Sequence, residues 1–303
     1  MMNRMRLREL GLVVGELAPG KYNAITDVPG VEVGHTTLIE GEGALQPGLG
    51  PVRTGVTVIL PNGGNLFEQP VLAAVHTING FGKVAGFEQV RELGLVESPI
   101  ALTNTLNVGI VMDALVTHAI RQNPGLGITT GSVNVVVGET NDGYLNDLQG
   151  RHVREKHVLA AVENASGGPV TEGAVGAGTG TLCFGWKGGV GTASRVVQVE
   201  EHECILGALV QTNFGRARDL VVLGVPVGRG LPAPQNFSLS PQSHSNQGSV
   251  MVVLATNAAL DTRQLERLCV RAGAGLARVG SYYGHGSGDF VIAFSTGSLV
   301  AHS

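Results

Sequence analysis

Short apolar runs alternate with glycine- and proline-marked turns along the chain, a rhythm that predicts many strands with a few helices between them. A Pro29-Gly30 turn leads into alternating Val31 and Val33, the start of a short strand. Thr54 to Leu60 predicts a second strand, closed by Pro61-Asn62-Gly63-Gly64. Phe67 to Val90 reads as a helix bearing Leu72, Val75, His76 and Ile78, a glycine-rich break at 79–82, and a short helix through Arg91. Pro99 to Thr103 is a strand, and Asn107 to Arg121 a helix stopped by Asn123-Pro124. Ser132 to Val137 is strand-like and runs into a polar loop, Gly138 to Asp147; Arg151 to Glu163 is a helix. Ser194 to Val199, Ile205 to Thr212 and Leu220 to Val227 read as three further strands.

Residues 229–247 carry three prolines and no periodicity, so they predict a loop or loosely held tail. The apolar run after Ser249 then reads as a buried strand. Asp261 and Gln264 have capping-box spacing, and Leu265, Leu268, Cys269, Ala272, Leu276 and Val279 fall on one helical face. Ser281 to Asp289 is a glycine-rich loop and Phe290 to Ser295 a last strand. No repeat or linker divides the chain, so 1–303 is expected to form a single domain.

Composition narrows the function classes. Aromatics are only 4% while glycine reaches 46 residues, which suggests closely packed layers of sheet and helix. A net charge of −4 without a basic patch argues against nucleic-acid binding. No run approaches a membrane span, and the N-terminus lacks the long apolar core of a signal peptide. Cys183, Cys204 and Cys269 have neither disulfide nor metal-ligand spacing, so a reducing cytoplasm is expected. No HExxH or clustered His and acid pattern exists, and no metal or cofactor is expected. The glycine-rich stretch 173–191 fails the phosphate-loop pattern, because Trp186 stands where Lys is required.

The candidate chemistry centres on Ser249. A serine at the mouth of a core strand, with a flexible Gly248 before it, suits a nucleophile held rigidly at a cleft. The same placement also suits an ordinary loop serine opening a strand, and the local pattern leaves both open. His35 has no partner at helical or hairpin spacing and reads as structural.

Six stretches decide between them: NAITDVPGVEVGHTTL (23–38), ETNDGYLND (139–147), GAGTGTLCFGWKGGVGTASRV (176–196), VQTNFG (210–215), NQGSVMVVLATNAAL (246–260) and GHGSGDF (284–290). Together the chain resembles the self-processing L-aminopeptidase/D-esterase and β-peptidyl aminopeptidase family. The resemblance implies an α+β fold, a four-layer αββα sandwich similar to N-terminal-nucleophile hydrolases but with its own connectivity. It implies self-cleavage at Gly248–Ser249 into 1–248 and 249–303, with Ser249 as the new N-terminus and nucleophile. It further implies Asn213 as oxyanion donor, and Ser287 and Asp289 as the pair orienting Ser249 and its α-amine. Tyr144 is a second oxyanion donor or an aid to self-cleavage, and Glu139 the carboxylate that holds the substrate's free amine. Substrates would be short peptides, amino-acid amides or esters, and the cleaved pairs would assemble as homo-oligomers. Acyltransferases like ornithine acetyltransferase and hydrolases of pantetheine share the architecture but use threonine where this chain has Ser249. An uncleaved, non-catalytic binding protein is the alternative of another class.

Overall fold

The computed structural model describes residues 5–199, 201–232 and 247–299. Among the described residues twelve strands and four α-helices follow one another as β1 (Glu32–Glu40), β2 (Val52–Leu60), β3 (Val71–Gly80), α1 (Phe87–Leu93), β4 (Leu95–Val96), β5 (Ile100–Asn104), α2 (Val108–Gln122) and β6 (Val136–Thr140). Then come α3 (Glu155–Glu163), β7 (Leu182–Cys183), β8 (Trp186–Lys187), β9 (Gly189–Val199), β10 (His202–Asn213), β11 (Gln247–Thr256), α4 (Thr262–Arg278) and β12 (Gly286–Leu299).

Ten strands form two sheets, ordered β1-β2-β5-β6 and β4-β3-β12-β11-β10-β9, while β7 and β8 make a small hairpin. Each sheet contains one parallel pair bridged by a helix: β5 and β6 around α2, and β11 and β12 around α4. A parallel pair needs such a crossover, since a tight turn joins only antiparallel strands. The sheets face each other across a core that includes Ile59, Ile100, Leu102 and Val136 from one and Met251, Val253, Ile292 and Phe294 from the other. Helices α2 and α3 cover the outer face of the smaller sheet through Val111, Leu115 and Val158. Helix α4 covers the outer face of the larger through Leu265, Cys269 and Leu276. The result is a four-layer αββα sandwich. Four-layer packing explains the composition: inner strands are buried on both faces and select Val, Ile and Ala.

Helix α4 starts where its sequence requires, with Asp261 Oδ1 accepting from Gln264 N at 2.7 Å and Gln264 Oε1 accepting from Asp261 N at 2.9 Å. Four expectations are corrected. Residues 71–80 form β3, not a helix; the apolar run Val71–Val75, packed between β4 and β12, has no polar face to betray its period. Leu220 to Val227 is no strand: it turns on itself, with Val222 and Val225 bonded to each other and Leu223 at a φ of 51°. The glycine-rich loop before Phe290 is shorter than expected, because β12 already begins at Gly286; likewise β6 extends through Thr140 into the expected loop. Much of the expected 229–247 tail lies outside the described residues.

Candidate active site

The cleft forms where several strand ends converge. The start of β11 brings Ser249, the end of β10 brings Asn213 and the start of β12 brings Ser287; Asn213 is the register partner of Ser249, and Ser287 that of Gly248. The end of β6, from the other sheet, supplies Glu139. Ser249, Gly248, Asn213, Ser287, Glu139 and Tyr144 all line one cavity of about 990 Å³. Asp289 lies behind it, buried against Ser287.

Ser249 is buried, and its hydroxyl oxygen accepts from Asn213 Nδ2 at 3.1 Å and from the Asn141 backbone N–H at 3.1 Å. Asn213 is oriented by its other end: Oδ1 accepts from Leu182 N at 3.1 Å, and Leu182 N–H can only donate. That bond turns Nδ2 towards Ser249, and Nδ2 also donates to the Asn141 carbonyl at 2.8 Å. Two donors thus converge on the Ser249 oxygen and fix its hydroxyl in the cleft.

Ser287 Oγ donates to Asp289 Oδ1 at 2.7 Å. Burial pushes the Asp289 carboxyl above its ordinary range, and the Ser287 bond opposes that shift. Glycine at 248 leaves room for its neighbours: a Cβ there would press on Ser287 Oγ at 3.1 Å and touch the Asn213 carbonyl oxygen at 3.4 Å. Asn79, at the end of β3, donates to the carbonyls of Ser287, Gly284 and His285 and so holds the turn that presents Ser287.

Glu139 stands at the other end of the cleft. It is only 3% exposed, and Oε1 accepts from Lys83 N at 2.9 Å while Oε2 has no hydrogen-bond partner. Burial raises its pKa, and the Lys83 amide, the Lys83 ammonium and the Thr105 hydroxyl pull the other way. An unpartnered buried carboxylate oxygen in a cleft is a place for a cationic group. Tyr144 stands at the mouth, about half exposed.

The loop from 140 to 147 is fixed by Asp142, which accepts from Asn146 Nδ2 at 3.0 Å. Burial pushes the Asp142 carboxyl up to about 7. His35 is structural: Nδ1 lies 2.9 Å from Thr57 Oγ1, and burial lowers its pKa to about 4. Among the described residues no group of three or more His, Cys, Asp or Glu could hold a metal ion, and no helix is long and apolar enough to cross a membrane.

Sequence reasoning passed over Asn141, Asn79, Lys83 and Thr105. Asn141 acts through its backbone N–H, which no side-chain pattern reveals, although it lies within the quoted 139–147 stretch. Lys83 and Thr105 come from segments far apart in sequence, and only the meeting of the two sheets joins them at 2.8 Å.

Known proteins place this arrangement. The chain is 45% identical over 98% of its length to β-peptidyl aminopeptidase BapA of Sphingosinicella microcystinivorans, covering 76% of that protein. It superposes on a crystal structure of a Pyrococcus horikoshii OT3 protein with a TM-score of 0.91 and 49% identity, covering 98% of this chain and 81% of that one. It superposes with a TM-score of 0.85 and 42% identity, over 96% of this chain and 78% of the other, on the L-aminopeptidase D-Ala-esterase/amidase of Ochrobactrum anthropi, described as a prototype of the serine aminopeptidases and a variant of the N-terminal-nucleophile hydrolase fold. With residues 23–303 matching the family model, and with a serine, its paired donors and a buried carboxylate in one cleft, this chain belongs to peptidase family S58.

Proposed function

We propose that the protein is a serine aminopeptidase that cuts itself between Gly248 and Ser249 and then hydrolyses the bond after a free N-terminal amino acid. The carrying observation is the convergence of Asn213 Nδ2 and Asn141 N–H on Ser249 Oγ, each at 3.1 Å, in the cleft that also holds the unpartnered oxygen of Glu139.

In self-cleavage Ser249 Oγ attacks the Gly248 carbonyl carbon. The C–N bond breaks as the acyl group passes to oxygen, and water hydrolyses the ester to free the Ser249 α-amine. That amine is the base for later turnovers, since α-amines titrate at about 7.7–8.0. It takes the Ser249 hydroxyl proton during attack on the substrate and gives it to the leaving nitrogen; water then releases the acyl group. Asn213 Nδ2 and Asn141 N–H, which hold the resting hydroxyl, are the donors this reading assigns to the oxyanion that forms beside it. Ser287, backed by Asp289, pairs with Gly248 across the β11–β12 register and so stands beside the bond whose cleavage frees the amine. Glu139 holds the substrate ammonium and so fixes how far the scissile carbonyl stands from the free amine. Short peptides, amino-acid amides and esters fit these needs.

Assembly into homo-oligomers of cleaved pairs in a reducing cytoplasm belongs to the same proposal. It is supported by the exposed Leu7, Leu10, Leu12, Val13 and Val14 near the N-terminus and by three free cysteines.

The test is intact mass under denaturing conditions, with Ser249→Ala alongside. Fragments ending at Gly248 and starting at Ser249, with the variant left whole, are expected. An active wild-type chain that stays whole would overturn the mechanism.

A further inference from the structure

Glu139 has a task in aminopeptidase chemistry; Lys83, at the same end of the cleft, has none. The Lys83 backbone N–H is bonded to Glu139 Oε1, and its side chain crosses to Thr105, where Nζ donates to Oγ1 at 2.8 Å. Lys83, Thr105 and Glu139 all line the cavity. Ammonium and carboxylate are therefore held at one end of the cleft with Thr105 between them: Nζ donates to the Thr105 hydroxyl, the Lys83 charge lowers the Glu139 pKa, and Glu139 Oε2 has no hydrogen-bond partner. Gly82 makes this approach possible, because a Cβ there would stand 3.1 Å from Glu139 Oε1 and 2.9 Å from the Phe290 ring.

A site built only to hold an ammonium is weakened by a neighbouring cation, through plain Coulomb repulsion. The repulsion becomes attraction when the ligand brings its own negative charge next to its amine. We propose that this end of the cleft accepts a zwitterionic acyl unit, with the ammonium on Glu139 and a carboxylate on Lys83, and that N-terminal β-aspartyl peptides are substrates.

The chemistry singles out the β-linkage. In a β-aspartyl peptide the carbon bearing the amine also bears the free α-carboxylate, and the scissile carbonyl lies one methylene further on. It is a β-amino acyl unit with a carboxylate as its side group. In an α-linked residue the carbonyl occupies the carboxylate's place, and nothing anionic is left on that carbon. The inference rests on the aminopeptidase proposal and uses the same steps. Ser249 Oγ bonds to the β-carbonyl carbon and the amide C–N bond breaks with a proton passing to the leaving nitrogen. Water then cleaves the ester, releasing aspartate; no other co-reactant is needed.

The test uses the processed protein with β-aspartyl-leucine and β-alanyl-leucine, which share a leaving group and differ by the carboxylate. For the wild type a lower KM is expected on the β-aspartyl substrate. Lys83→Met should lower the β-aspartyl to β-alanyl ratio of kcat/KM by about tenfold, mainly through KM, as expected for one lost charge-assisted contact. Lys83→Arg should keep most of the ratio. An unchanged ratio in Lys83→Met, or β-alanyl-leucine cleaved and β-aspartyl-leucine not, overturns the inference. So does turnover of α-amino-acid amides with neither β-dipeptide cleaved, which leaves the aminopeptidase proposal standing. No turnover of any of these overturns both.

Discussion

The two ends of the cleft are built on opposite principles. At the nucleophile end the hydrogen bonds converge on the serines: Ser249 Oγ on Asn213 and Asn141, Asn213 on Leu182, and Ser287 on Asp289, whose Oδ2 is left unpartnered behind the cleft. At the amine-binding end the groups are left open: Glu139 Oε2 is unpartnered and Lys83 Nζ rests on a hydroxyl. Converging bonds hold reacting atoms in place before substrate arrives, whereas open groups keep their interaction energy for the ligand. Changes at the first end should therefore act on kcat and self-cleavage, and changes at the second on KM.

The largest effect expected is from Ser249→Ala, which should abolish both self-cleavage and hydrolysis. Mass spectrometry and an amide assay read the two losses separately. Asn213→Ala should lower kcat by roughly 10²–10³-fold, as for removal of one oxyanion donor, and slow the appearance of the 249–303 fragment. A change confined to KM would mean that Asn213 belongs to the binding end.

Glu139→Gln should raise KM by roughly 10–100-fold with a smaller change in kcat, the scale of one charged hydrogen bond. The pH profile sharpens the division. Burial raises the Glu139 pKa, so the ionised form that binds an ammonium is lost at a higher pH than for an ordinary carboxylate as the pH falls. Weakening of 1/KM on the acid side should vanish in Glu139→Gln. The kcat limb, set by the Ser249 α-amine at about 7.7–8.0, should persist.

The smallest effect falls between the ends, at Asp142. Its carboxyl is pushed up to about 7 in the folded protein, so the fold favours the protonated form. The stability this gives is full below the ordinary carboxylate range and is lost as the pH rises through about 7. Asp142→Asn should remove that loss. Thermal denaturation should show the variant a few degrees more stable than wild type at alkaline pH, with the difference closing towards acid pH. A difference independent of pH would mean that Asp142 is not the titrating group.

Legibility in the sequence followed the same divide between local and distant causes. Helix α4 was readable because its cap and its apolar stripe are properties of consecutive residues. Strand β3 was not, because burial of Val71–Val75 on both faces erases the alternation that marks a strand. Leu220 to Val227 had strand composition, yet composition does not supply a neighbour to pair with, and the run closed on itself.

The sequence by itself determined the layered, glycine-rich, Val- and Ala-filled body, the Gly248-Ser249 junction before a core strand, and a family resemblance carried by long motifs. Tertiary structure alone decided that Asn141 offers its backbone to Ser249, that Leu182 sets the amide of Asn213, and that Lys83, Thr105 and Glu139 share one end of a cleft. The physical reason is that a hydrogen bond or a charge contact depends on positions in space. Here those positions are set where two sheets meet, by segments as far apart along the chain as Asn141 and Ser249, 108 residues.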